Sequence, residues 1–97
     1  MRVISKKKVS DFVQVHQESK ASLENWYRIV SKSAFENFAA LRMTFPSADQ
    51  VDGLTVFNVA GNNFRLIAAI HYNRQVLFIR EILTHADYSK NKWRKKQ

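Results

Sequence analysis

The stretch from Val56 to Tyr88, VFNVAGNNFRLIAAIHYNRQVLFIREILTHADY, limits what this chain can fold into more than any other part of it. Its three apolar runs are separated by two clusters of turn-forming residues, Ala60-Gly61-Asn62-Asn63 and Tyr72-Asn73-Arg74. Apolar runs broken by Asn and Gly read as a three-stranded antiparallel meander, with strands expected over Thr55–Val59, Phe64–His71 and Gln75–Leu83. If Asn73-Arg74 is a two-residue turn, Tyr72 faces Gln75, Ile67 faces Arg80 and Arg65 faces Ile82. Side chains alternate between the two faces of a strand, so Arg65 and Arg80 become diagonal neighbours on one face. A Gly61-Asn62 turn places Asn58 opposite Arg65 on that same face. The opposite face collects Phe64, Leu66, Ala68, Ile70, Leu77, Ile79 and Leu83, and reads as the core.

The residues before the meander supply a cover for that core. Arg2-Val3-Ile4 is a short β-prone run suited to an edge strand. From Lys6 to about His16 the positions Val9, Phe12, Val13 and Val15 or His16 fall at helical spacing, and Leu23, Trp26, Tyr27 and Val30 form the stripe of a second helix with Ser19 or Ser22 as its N-cap. Two short helices joined by a tight polar link predict an αα-hairpin laid on the sheet. Residues 33–42 read as a short third helix with Phe35, Phe38 and Leu41 on one side, ended by Pro46. Residues 47–54 read as a loop, and Thr84 or Asp87 caps a final helical turn. The expected fold class is α+β, in one domain over residues 1–97 with a basic tail from about residue 89.

Charge narrows the partners. The chain of 97 residues carries a formal net charge of +8, and six of those net charges fall in residues 65–97. A run such as Lys90–Lys96 is by itself an ordinary solvated tail, but with two sheet arginines it points to a polyanion or an acidic protein. The tail has little apolar area apart from Trp93 and is expected to be dispensable for folding. No cysteine is present, no apolar run reaches 18 residues, and no secretory apolar segment follows Met-Arg-Val-Ile-Ser-Lys-Lys-Lys, so a cytoplasmic protein without membrane contact is the default expectation.

Several chemistries are excluded by inventory. Gly53 and Gly61 are the only glycines, too few for a phosphate-cradling loop, and His16, His71 and His85 have no metal-site spacing. No metal and no cofactor is expected, and the scattered carboxylates do not make an acid pair. What is left is a basic, aromatic surface: Arg65 and Arg80 as fixed cations, His85 as a group whose ordinary range lies near neutrality, and Tyr88 as an aromatic hydroxyl. Cleavage of RNA by its own 2′-hydroxyl needs such parts, namely a proton acceptor, charge stabilisation for the phosphorane and a proton donor for the 5′-oxygen. On residue chemistry alone, plainer roles stay open: a surface or capping histidine, a tyrosine packed on the sheet edge, and ordinary sheet arginines.

Four segments in order, Phe45-Pro46-Ser47-Ala48-Asp49, Val56 to Ile67, Phe78-Ile79-Arg80 and Thr84-His85-Ala86-Asp87-Tyr88, resemble the HigB-type toxins of bacterial toxin–antitoxin systems, within the RelE/ParE-like superfamily. The resemblance runs from about Trp26 to Lys90. It implies a RelE-like fold with an N-terminal helical pair on an antiparallel sheet, a ribosome-dependent mRNA endoribonuclease, and neutralisation by a HigA-type helix-turn-helix antitoxin. On this reading Arg65 and Arg80 hold the scissile phosphate, His85 is general acid or base, and Tyr88 stacks on a base or bonds a phosphate. Asn58 and Asn62 shape the site, while Lys90, Lys92 and Arg94 track the RNA backbone. Ser89 stands where the family often has an aspartate after the tyrosine, so no carboxylate serves as base there. Two alternatives stay open: a non-enzymatic toxin acting on a protein such as gyrase, and a basic RNA- or ribosome-binding module without catalysis.

Overall fold

A computed structural model describes residues 1–96, in the order β1 (Arg2–Ile4), α1 (Lys7–Val15), α2 (Lys20–Lys32), α3 (Phe38–Thr44), β2 (Asp49–Val51), β3 (Leu54–Val59), β4 (Phe64–His71), β5 (Val76–Thr84) and α4 (His85–Ser89). Single 3₁₀ segments join α1 to α2 at Gln17–Ser19 and follow α4 at Lys92–Lys96. The sheet order is β1-β5-β4-β3-β2, antiparallel throughout except that β1 runs parallel to β5. This is the expected α+β architecture, with the meander at its centre.

The helices form because their apolar residues recur every three or four positions and so share a face. Val9 of α1 and Leu23, Trp26 and Val30 of α2 are buried against β3, β4 and β5, with Trp26 edge-on to Phe57 at 5.4 Å. Ser19 is not the side-chain cap expected for α2. It is fully buried, and its Oγ donates to the His16 carbonyl at 2.6 Å, because the 3₁₀ turn already closes the entry to the helix.

Three expectations are corrected. The third helix starts at Phe38, where Asn37 accepts from the Ala40 amide at 2.8 Å. Phe35 stays outside it because Gln75, held at φ 56° in the β4–β5 loop, bonds both its amide (3.2 Å) and its carbonyl (2.7 Å). Residues 49–51 form a strand and not a loop, since Asp52 (φ 52°) and Gly53 (φ 81°) make the left-handed pair that a tight hairpin requires.

The third correction matters most for the site. The β4–β5 register follows the expected pairing from His71↔Val76 to Ala68↔Ile79, then shifts by one, giving Ile67↔Glu81 and Arg65↔Leu83. Arg80 is left unpaired at a β-bulge, so the expected pairs Ile67–Arg80 and Arg65–Ile82 do not form. Beyond the bulge the faces exchange: Ile82 packs into the core under the helices, and Leu83 joins the opposite face.

That opposite face is not bare. Leu54, Val56 and Ile67 form a second, smaller core closed by Trp93, which is 4 % exposed. The segment after α4 is therefore no solvated tail through Arg94, since Trp93 belongs to the core. An indole removed from water on an apolar floor stabilises the fold by several kcal/mol.

Candidate functional site

Arg65 organises the site. Strand β4 carries it to the face shared with Ile67 and Leu83, where it is 7 % exposed. A buried guanidinium needs acceptors, and Arg65 finds them in the turn it leaves behind. Its Nη1 donates to the carbonyls of Phe64 (3.0 Å) and Asn62 (3.2 Å), and its Nη2 donates to the Asn62 Oδ1 and lies 3.2 Å from His85 Nδ1. Its central carbon sits 5.5 Å from the centre of the Tyr88 ring, in cation–π range. Arginine only donates, so His85 Nδ1 accepts and the ring proton of neutral His85 belongs on Nε2.

His85 is placed by the end of β5. Thr84 caps α4 by accepting from the Asp87 amide at 3.1 Å, and the His85 amide donates to the Asn63 carbonyl at 2.9 Å. The strand end and the β3–β4 turn are thereby pinned together. His85 lines an open depression of about 730 Å³ with Thr84, Ala86, Asn62, Asn63 and Phe64, and with His16 and Glu18 from the link between α1 and α2. Tyr88 stands behind Arg65 and stacks on Trp93 with ring centres 5.3 Å apart and planes 16° apart; the Trp93 indole N–H donates to the Tyr88 carbonyl at 3.2 Å.

The structure thus brings Arg65, Asn62, His85 and Tyr88 together, and it does not bring Arg80 to them. The bulge sets Arg80 on the exposed side of β5, in a depression of about 330 Å³ lined by Lys8, Asp11 and Phe12 of α1 and by Glu81 and Ile82. Strand β1 ends at Ile4, opposite Phe78, so the rest of β5 has no strand on that edge and α1 lies along it. Phe12, which lines the Arg80 depression, stacks on His16, which lines the His85 depression, so the two adjoin along one groove.

The remaining expected residues scatter. Asn58 lines a separate depression of about 230 Å³ with Ser22, Asn25 and Trp26. Lys90 is ion-paired with Asp87 at 3.6 Å, and Arg94 with Asp52 at 2.7 Å. The bond from Arg94 holds the Asp52 carboxyl below its ordinary value, and Asp52 in turn raises Arg94. Lys92 is exposed. Among the described residues no group of three or more potential metal ligands occurs, and no helix is long and apolar enough to cross a membrane.

His16 was missed from sequence because it was counted in the apolar stripe of α1. The signal that would have marked it is the His16-Gln17-Glu18 spacing at a helix end, which sets a carboxylate 3.8 Å from His16 Nδ1.

Residues 19–91 match the family model described as HigB_toxin, RelE-like toxic component of a toxin-antitoxin system. The chain is 32% identical over 91 residues to the mRNA interferase toxin HigB of Escherichia coli (strain K12), covering 91% of this chain and 88% of that protein. It is 29% identical over 93 residues to the mRNA interferase HigB of Escherichia coli O6:H1, covering 93% and 90%. With a family match over most of its length and relatives aligned almost end to end, the chain belongs to the HigB family of RelE-like toxins.

Proposed function

We propose that this toxin is an mRNA endoribonuclease that acts on ribosome-bound transcripts and breaks the chain by attack of the RNA's own 2′-hydroxyl, without a metal. One observation carries the reading: the buried Arg65 holds His85 Nδ1, and His85 lines an open depression where the Nε2–H of its neutral ring can serve as a hydrogen-bond donor. A neutral imidazole polarised by an adjacent guanidinium is suited to a non-bridging phosphoryl oxygen, where charge grows as the phosphorane forms. Arg65 acts through His85 and Asn62, since its own donors are largely committed. Arg80 and Lys8, along the same groove, fit a phosphate flanking the scissile one. The family names of the relatives support the substrate class, and a HigA-type antitoxin is the expected partner.

The test is cleavage of a defined mRNA programmed on purified ribosomes, with and without chelator. Products ending in 2′,3′-cyclic phosphate and 5′-hydroxyl, unchanged by chelator and absent from free RNA, are expected. Intact mRNA in cells whose growth the toxin arrests would transfer the function to a protein target.

A further inference from the structure

The depression that His85 lines has a second histidine in its lining, His16. His16 closes α1, where its amide donates to the Phe12 carbonyl at 2.8 Å and its carbonyl accepts from the Ser19 amide (3.0 Å) and from the buried Ser19 hydroxyl (2.6 Å). Its ring is held flat on Phe12, with centres 4.4 Å apart, and lies 5.7 Å from Phe64. The side chain nevertheless keeps 28% of its surface. Nδ1 lies 3.8 Å from a Glu18 carboxylate oxygen, a little beyond hydrogen-bond distance, so the tautomer that turns its N–H toward an acceptor carries the hydrogen on Nδ1. Nε2 then carries the lone pair, and among the described residues it has no partner.

His85 is arranged the opposite way, with Arg65 at Nδ1 and the proton on Nε2. The lining of the depression thus offers both an N–H and a lone pair. We propose that His16 is the general base of the cleavage reaction, taking the 2′-hydroxyl proton at Nε2 while Glu18 orients the ring and stabilises the imidazolium. This assignment rests on the RNA-cleaving reading above. As the proton moves from O2′ to His16 Nε2, the O2′–P bond forms and the P–O5′ bond breaks. The departing 5′-oxygen takes a proton from water, and His16 returns its own to the resulting hydroxide, so nothing beyond RNA is consumed. His85 supports the phosphorane without changing its charge.

The charged and titratable groups that face His16 are Glu18 from the 3₁₀ turn and His85 from α4, with Arg65 behind His85. The experiment compares single-turnover cleavage on ribosomes by wild type, His16→Ala and His16→Gln across pH, with mRNA affinity and thermal melting measured in parallel. His16→Gln keeps bulk over Phe12 and so guards against a folding failure in the alanine variant. Both variants are expected to lose about 10²–10⁴ in rate with affinity retained, and to lose the acid limb of the pH profile. Added imidazole should restore part of the rate to His16→Ala. Glu18→Gln, at a side chain 68% exposed, should show a smaller loss with an unchanged melting point. If wild type leaves the mRNA intact, the proposed function itself falls. If wild type cleaves while both His16 variants keep its rate and its acid limb, or lose only affinity, His16 is not the base.

Discussion

A guanidinium with 7 % of its surface exposed has to be satisfied from within, and the partners that satisfy Arg65 are the site. Asn62 contributes both its carbonyl and its side-chain oxygen, and His85 takes the remaining Nη2 contact. Lysine cannot reach all three, because an ammonium is a single point where the guanidinium is a fork. Arg65→Lys is therefore expected to slow cleavage by about 10²–10³ through the loss of a placed donor, and to lower the melting point. Unchanged cleavage with a lowered melting point would reduce Arg65 to a structural role. Tyr88 offers a separate test, since its ring lies against the Arg65 guanidinium and stacks on Trp93. Tyr88→Phe is expected to cleave at nearly the wild-type rate, whereas Tyr88→Ala, which strips the cation–π partner from Arg65, should not. A large loss in Tyr88→Phe would mean that the hydroxyl bonds a phosphate or moves a proton.

At the level of elements, the bulge in β5 and the segment after α4 divide the work. Ile79 pairs with Ala68 and Glu81 with Ile67, so β5 alternates normally on either side of Arg80. Deleting Arg80 joins two stretches already in step. The deletion is expected to leave the fold intact while lowering by about one the slope of log affinity for RNA against log salt, as Arg80→Ala also should. Fold loss on deletion would show that the bulge sets the twist which seats α1. The C-terminal segment is different, because Trp93 is a buried member of the second core, with Leu83 and Tyr88 packed beside it. Trp93→Ala should cost about 3–5 kcal/mol in a denaturant titration, and a chain cut after Tyr88 should fold poorly. A fully folded truncation would mean that the second face tolerates water.

Across the whole molecule, charge is spent partly on folding and partly on the partner. Of the cations in the last third, Arg65, Lys90 and Arg94 are engaged inside the protein, while Arg80 and Lys92 are exposed. The Asp52–Arg94 pair ties the C-terminal segment to the β2–β3 turn. Asp52 has its carboxyl held below the ordinary value of 3.8, chiefly by the bond from Arg94. Its contribution is complete above that ordinary value and is lost as pH falls through the depressed one. The protection of the amides at residues 92–94, taken relative to the intrinsic exchange rate at each pH, should therefore drop at pH below the ordinary carboxylate value while the Trp93 ring stays docked by its apolar contacts. Asp52→Asn should show the lower protection at neutral pH as well. Protection in wild type that ignores acid would mean that the pair does not restrain the segment.

The α+β class, the helical pair and the meander were legible because local signals decide them, and Arg65, Asn62, His85 and Tyr88 all lie in segments that the sequence singles out. Helical spacing places Val9, Leu23, Trp26 and Val30 inside, and the turn residues around Gly61 and Asn73 place the strands. The HigB resemblance rested on the same local segments. What the chain alone did not reveal is the one-residue shift at Arg80, because a bulge leaves the hydrophobic alternation on each side intact and only long-range packing shows it. Nor did it reveal that Trp93 lies on the second face, or that His16 and His85 line one depression, since both depend on how elements far apart in sequence come to rest. Sequence settles which residues prefer a helix, a strand or a turn. Tertiary structure settles which side chains share a space, because burial, and with it the pairing of every polar group that burial encloses, belongs to the assembled surfaces.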